Sequence, residues 1–106
     1  MTGEKGRAVA LVTGGAQRIG AAIAADLAAN GMAVAIHCNH SRNDADTLRT
    51  KIRGSGGIAE VFAADLSDMN AVEGLIPEVS ASMGPVSLVV NNASIFEEDH
   101  ATAFAW

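Results

Sequence analysis

The 106-residue chain has no tyrosine, one cysteine, two prolines, three phenylalanines and one tryptophan. Without tyrosine no phenol is present to act as a general acid. The single thiol, Cys38, excludes an intrachain disulfide framework and fits a reducing compartment. Seven basic residues stand against twelve acidic ones, a net charge of −5, and no lysine or arginine run occurs. That balance argues against broad electrostatic binding to nucleic acid or to an anionic membrane surface. No apolar run approaches the length of a membrane span, and the start Met1 to Arg7 leads into only five apolar residues before Thr13, too few for a signal-peptide core. His37, His40 and His100 lack compact metal-ligand spacing, so no metal site is expected. These absences predict a cytoplasmic protein whose partner is a small molecule, with neither nucleic acid nor membrane involved.

What is present is apolar content of 49%, enough for one core and too little chain for two ordinary domains. Short β-rich runs, Ala8 to Val12, Ala33 to His37, Ile58 to Ala63 and Val86 to Asn91, start 25, 25 and 28 residues apart, with helical stretches between them. Such spacing predicts successive βα units and a parallel sheet. The near-continuous apolar runs Ala8 to Val12 and Val86 to Val90 suit central strands covered on both faces. Helices are expected over Ile19 to Ala29, ending at Asn30-Gly31; over Asn43 to Arg53, ending at the glycine-rich stretch from Gly54; and from a Ser67 N-cap to Met83. Pro77 predicts a kink or local break in the third. Residues 93–106 read as a loop and the start of another helix.

The segment Thr13-Gly14-Gly15-Ala16-Gln17-Arg18-Ile19-Gly20 places a glycine turn between the first strand and the first helix. A turn of this kind collects backbone N–H groups at a positive helix end, where a phosphate can sit. By itself it is also compatible with a plain tight turn. About 20 residues further on, a dinucleotide-binding unit presents an Asp or Glu to the ribose 2′-hydroxyl of NAD. Here no acidic residue occurs between Gly31 and Asn43. The segment His37-Cys38-Asn39-His40-Ser41-Arg42 instead offers an amide, a hydroxyl, the imidazoles of His37 and His40 and a guanidinium, donors suited to the 2′-phosphate of NADP, and Arg18 can approach the same phosphate with a planar fork. A solvated loop before the second helix is the plainer reading of those residues. Asp65-Leu66 follows the third strand, where a carboxylate can accept the adenine amino group or simply cap a helix. Asn91-Asn92-Ala93-Ser94 stands at the C-terminal end of the fourth, on the sheet edge where open α/β folds bind ligands, although paired asparagines can equally just satisfy loop backbone groups.

Together Thr13-Gly14 through Gly20, Asp65-Leu66 and Asn91 to Ser94 resemble the N-terminal half of the short-chain dehydrogenase/reductase family, over essentially the whole chain. The resemblance implies an α/β Rossmann-type doubly wound parallel sheet, here its first half with about four strands and three helices. It implies NADP held by Gly14, Arg18, Ile19, Gly20, Asn39, His40, Ser41, Asp65, Leu66, Asn92 and Ala93. Within the family, Arg18 in place of the central glycine, the Asn39 to Ser41 stretch, and Ser94 followed by Phe96 resemble the pteridine reductases. That narrower likeness implies Ser94 near the substrate and Phe96 stacked on a flat pterin ring, a geometry aromatic rings favour; a packing aromatic under a loop is the alternative for Phe96. His40 stands where those enzymes favour arginine, which implies a weaker grip on the 2′-phosphate than a guanidinium gives.

Catalysis in the family resembles proton donation by a tyrosine whose pKa is lowered by a lysine four residues later. A chain without tyrosine cannot hold that element, so no catalytic residue is assigned. The expectation is a single domain fragment, 1–106, representing the cofactor-binding half of an NADP-dependent reductase, its catalytic half absent. A non-catalytic NADP-binding or interaction module is the second reading; the stop at Trp106 within an apolar stretch favours the first. A half sheet would expose an apolar edge, which predicts self-association and a homo-oligomer.

Overall fold

The computed structural model describes residues 7–14, 16, 18–64 and 69–92. Within them four strands alternate with three helices: β1 (Val9–Thr13), α1 (Arg18–Ala29), β2 (Ala33–Cys38), α2 (Arg42–Gly54), β3 (Ile58–Ala63), α3 (Met69–Met83) and β4 (Val86–Asn91). All strand pairs are parallel, and the spatial order is β3-β2-β1-β4. The chain therefore walks outward from β1 through β2 to β3, then crosses back to β4 on the other side of β1. That reversal opens a crevice between the carboxyl ends of β1 and β4, where open α/β sheets bind ligands.

Helices on both faces explain the apolar strands. On one side Gly20, Ala24 and Ala28 of α1 and Ala45, Leu48 and Ile52 of α2 face Val12, Val34, Ile36 and Cys38. The small residues of α1 recur every fourth position, so that helix lies close to the sheet. On the other side Leu75 and Val79 of α3 pack with Val9, Leu11, Ala33, Ala35 and Phe62. All five residues of β1 and all six of β2 are buried.

Turn chemistry follows the sequence. Gly31 (φ 97°) ends α1 in the left-handed conformation, with Met32 N–H returning to the Leu27 carbonyl and Gly31 N–H to that of Ala28. Arg53 ties the end of α2 to β3, donating from Nε to the Ala59 carbonyl and pairing with Glu60 at 2.6 Å.

Two expectations are corrected. α3 runs without a break through Pro77. The lost N–H falls on a solvent-facing stretch, with Ile76, Pro77 and Glu78 exposed, while Leu75 and Val79 hold the flanking turns against the core; packing outweighs one missing bond. Only β1 of the two apolar runs is interior. β4 lies at the edge of the described sheet, and Leu88 and Val89, 39% and 44% exposed, point to opposite faces. A bulge also enters there: Val9 pairs with Val86 and Ala10 with Leu88, which leaves Ser87 as the extra residue. No described helix is long and apolar enough to cross a membrane.

Candidate functional site

The crevice at the carboxyl ends of β1 and β4 centres on Gly14. Its backbone is left-handed (φ 64°), a conformation without penalty only for glycine. Both of its peptide groups are held by neighbouring strands. The Gly14 N–H donates to Nδ1 of His37, the fifth residue of β2, at 2.8 Å. The Gly14 carbonyl accepts from Nδ2 of Asn92, just past β4, at 3.2 Å. One residue earlier, the buried Thr13 hydroxyl accepts the Asn92 N–H at 2.9 Å and lies 3.2 Å from both the Val90 carbonyl and Asn91 Oδ1. The turn that leaves β1 is thus stitched to the strands on either side of it.

Gly20 completes the junction. A Cβ at that position would overlap the Gly14 carbonyl oxygen and lie 2.6 Å from Asn92 Nδ2. Only a hydrogen lets the first turn of α1 come this close to the exit of β1. The consequence is a helix N-terminus seated against a glycine turn with exposed residues at its mouth: Arg18 and Ile19 are both exposed, the latter at 70%. Arg18 itself has φ 54°, a left-handed conformation that costs a side-chain-bearing residue about 1–2 kcal/mol. A side chain thus occupies a position whose backbone favours glycine.

Asn39 and His40 are exposed and Ser41 is half-buried, all following β2 at the same edge of the sheet. Ser41 precedes α2 and accepts the Ala45 N–H through its carbonyl, but its side chain makes no cap hydrogen bond. A cleft of about 380 Å³ lies between the start of α1 and α2, lined by Ala16, Arg18, Asp44, Thr47, Leu48 and Lys51. Positions 44, 47, 48 and 51 form one helical stripe, which brings Lys51 to the cleft that Arg18 borders.

Gly14, Arg18, Ile19, Gly20, Asn39, His40, Ser41 and Asn92 therefore share one edge of the sheet. Asp65, Leu66, Ala93, Ser94 and Phe96 lie outside the described residues. The expectation for His37 is corrected: read among the donors to the 2′-phosphate, it is instead 1% exposed, with both ring nitrogens bonded to backbone groups. Sequence reasoning missed Lys51. Lys51 carries no local motif; only helical periodicity combined with the position of Arg18 singles it out. Cys38 is buried, and burial pushes its thiol pKa up, which makes it a packing residue and no nucleophile.

The residues fit a dinucleotide. A Cβ at Gly20 would break the close approach of α1 to the glycine turn, and the exposed Arg18, Asn39 and His40 at that edge carry donors from which an anionic phosphate can accept. Comparison with known proteins places this arrangement in a class. The short chain dehydrogenase family model matches residues 8–105. The chain belongs to the short chain dehydrogenase family.

Its relatives include the hydroxynaphthalene reductase arp2 of Aspergillus fumigatus, 41% identical over 87 residues that make up 82% of this chain and 32% of that protein. The short-chain dehydrogenase/reductase homolog YusS of Bacillus subtilis is 38% identical over 82% of this chain and 80% of its own length. Among solved structures, FolM alternative dihydrofolate reductase 1 from Brucella suis, in complex with NADP, superposes with a TM-score of 0.78 at 49% identity, covering 84% of this chain and 37% of that one. The chain spans about a third of arp2 and FolM and most of YusS. The likeness to FolM agrees with the pteridine-reductase resemblance of the Arg18 motif, since dihydrofolate carries a pterin ring.

Proposed function

We propose that this chain is the cofactor-binding half, residues 1–106, of an NADP(H)-dependent reductase that delivers hydride to a carbonyl or a pterin-like C=N group. The observation that carries the reading is the junction at Gly14, Gly20 and Asn92 with a cation, Arg18, at its mouth and no acid between Gly31 and Asn43. NADP, when bound, supplies the hydride. The protein's part is to bind and orient. The glycine turn and the start of α1 hold the pyrophosphate. Arg18, Asn39, His40 and Ser41 meet the 2′-phosphate, Asp65 and Leu66 the adenine, and Asn92 and Ala93 line the strand ends beside the cofactor. Ser94 and Phe96 contact the substrate. The solved NADP complex of FolM supports this choice of cofactor, and its name supports the pterin-like substrate class.

No residue of the chain is assigned a proton-donating role, so turnover by these 106 residues alone is not expected. The exposed β4 edge is where the chain meets another strand, in a homo-oligomer or in the remainder of a longer polypeptide. The reading belongs to a soluble cytoplasmic enzyme acting on a small molecule.

Arg18 provides the test. Arg18→Ala should weaken NADP binding about tenfold or more and NAD binding far less, because a charge-assisted bond to a 2′-phosphate exists only with NADP. Arg18→Gly should do the same while raising stability by about 1 kcal/mol, as the left-handed backbone is relaxed. Competitive fluorescence titration and thermal unfolding give both quantities. Equal losses for the two dinucleotides would assign Arg18 to the pyrophosphate or to structure.

A further inference from the structure

His37 occupies the centre of the junction and takes no part in the reading above. Its two bonds fix its protonation. The Gly14 N–H, 2.8 Å from Nδ1, can only donate, so Nδ1 carries a lone pair. The Ala64 carbonyl, 2.7 Å from Nε2, can only accept, so Nε2 carries the hydrogen. Only the neutral Nε2–H tautomer satisfies both. The side chain thereby links three strands' ends: β2, which carries it; the turn after β1; and the residue after β3.

We infer that His37 is a positioning residue for the dinucleotide site, holding the glycine turn in its binding conformation through the neutral tautomer, and that protonation of Nδ1 releases that turn and weakens NADP binding. The inference rests on the proposed NADP reading. A proton on Nδ1 sets two N–H donors against each other at 2.8 Å. Either the ring leaves its place or the peptide preceding Gly14 rotates. The peptide that follows is anchored, because the Gly14 carbonyl is held by Asn92 and packed on Gly20, so either change falls on the glycine turn itself.

The electrostatic surroundings act in the same direction. Burial holds the His37 pKa below the ordinary 6.5, although the Ala64 carbonyl works against that. The charged groups of the adjoining elements are Glu60 on β3, paired with Arg53 of α2, the exposed Glu73 and Glu78 of α3, and the exposed Arg18. None of them contributes to the shift. Asp65 follows Ala64 in sequence, outside the described residues. With a depressed pKa the bound conformation is fully present above 6.5 and is lost as pH falls through the folded-state value.

The experiment measures NADP affinity of the 106-residue chain from pH 8 to 5 for wild type, His37→Asn and His37→Phe. Asparagine keeps an acceptor near the place of Nδ1 and does not protonate; phenylalanine keeps the ring and removes both bonds. The ratio of wild-type to His37→Asn affinity cancels the titration of the ligand phosphates. It should be flat at high pH and fall about tenfold per unit below the His37 pKa. At pH 8, His37→Phe should bind about tenfold more weakly than wild type and His37→Asn should recover most of that loss. Asparagine no better than phenylalanine at pH 8, or a wild-type imidazole that gains its proton at Nδ1 with no fall in the ratio, overturns the proposal. Nitrogen-15 spectra of the wild-type imidazole, which require neither ligand nor folded variants, should show unprotonated Nδ1 and protonated Nε2 at pH 7.5; the opposite tautomer overturns it too. Absence of NADP binding by wild type at every pH instead defeats the NADP reading on which it rests.

Discussion

β1 and β4 are neighbours in one parallel sheet, similar in length and both apolar, yet every residue of β1 is buried and most of β4 is exposed. The difference lies in position. β1 has a strand on each side and helices over both faces; β4 has a strand on one side only among the described residues. An apolar sequence states that a strand is suited to burial on both faces. It does not state whether the rest of the structure provides that burial. The polar ends of the two strands reverse the contrast, since Thr13 and Gly14 at the end of β1 and Asn91 and Asn92 at the end of β4 meet in one hydrogen-bonded junction.

Substitutions along the strands should separate the two cases. Leu11→Ala, at a position 0% exposed, is expected to destabilise the fold by about 2–5 kcal/mol in denaturant unfolding. Gly20→Ala comes next. Its methyl group displaces Gly14 or Asn92, with an expected loss of about 1–3 kcal/mol and of NADP binding together. At the other end of the scale, Leu88→Ala should cost about 0.5 kcal/mol or less, and Val89→Lys should leave the fold intact while reducing self-association in light scattering. Comparable losses for Leu11→Ala and Leu88→Ala would mean that β4 is covered in solution as completely as β1.

Much of this was legible in the sequence for identifiable reasons. β3 and β4 fall on their expected residues because strong β-formers there are bounded by glycine and by Gly84-Pro85. The glycine turn was readable because its spacing encodes a backbone requirement that no other residue meets at Gly20. Pro77 misled because propensity is local, whereas Leu75 and Val79 are held by the sheet. His37 was illegible for the same reason in reverse. Both of its partners are backbone groups, Gly14 N–H and the Ala64 carbonyl, and a backbone group has no letter of its own in the sequence. Asn92 was readable as a site residue, but its bond to the Gly14 carbonyl becomes visible only when β4 is placed beside β1.

The central claim is that the junction around Gly14 binds NADP and distinguishes it from NAD. Calorimetric titration of the 106-residue chain with each dinucleotide in the same buffer tests it most directly. The account predicts one site, with NADP bound about tenfold or more tighter than NAD. Equal affinity for the two, or no binding of either, would contradict it.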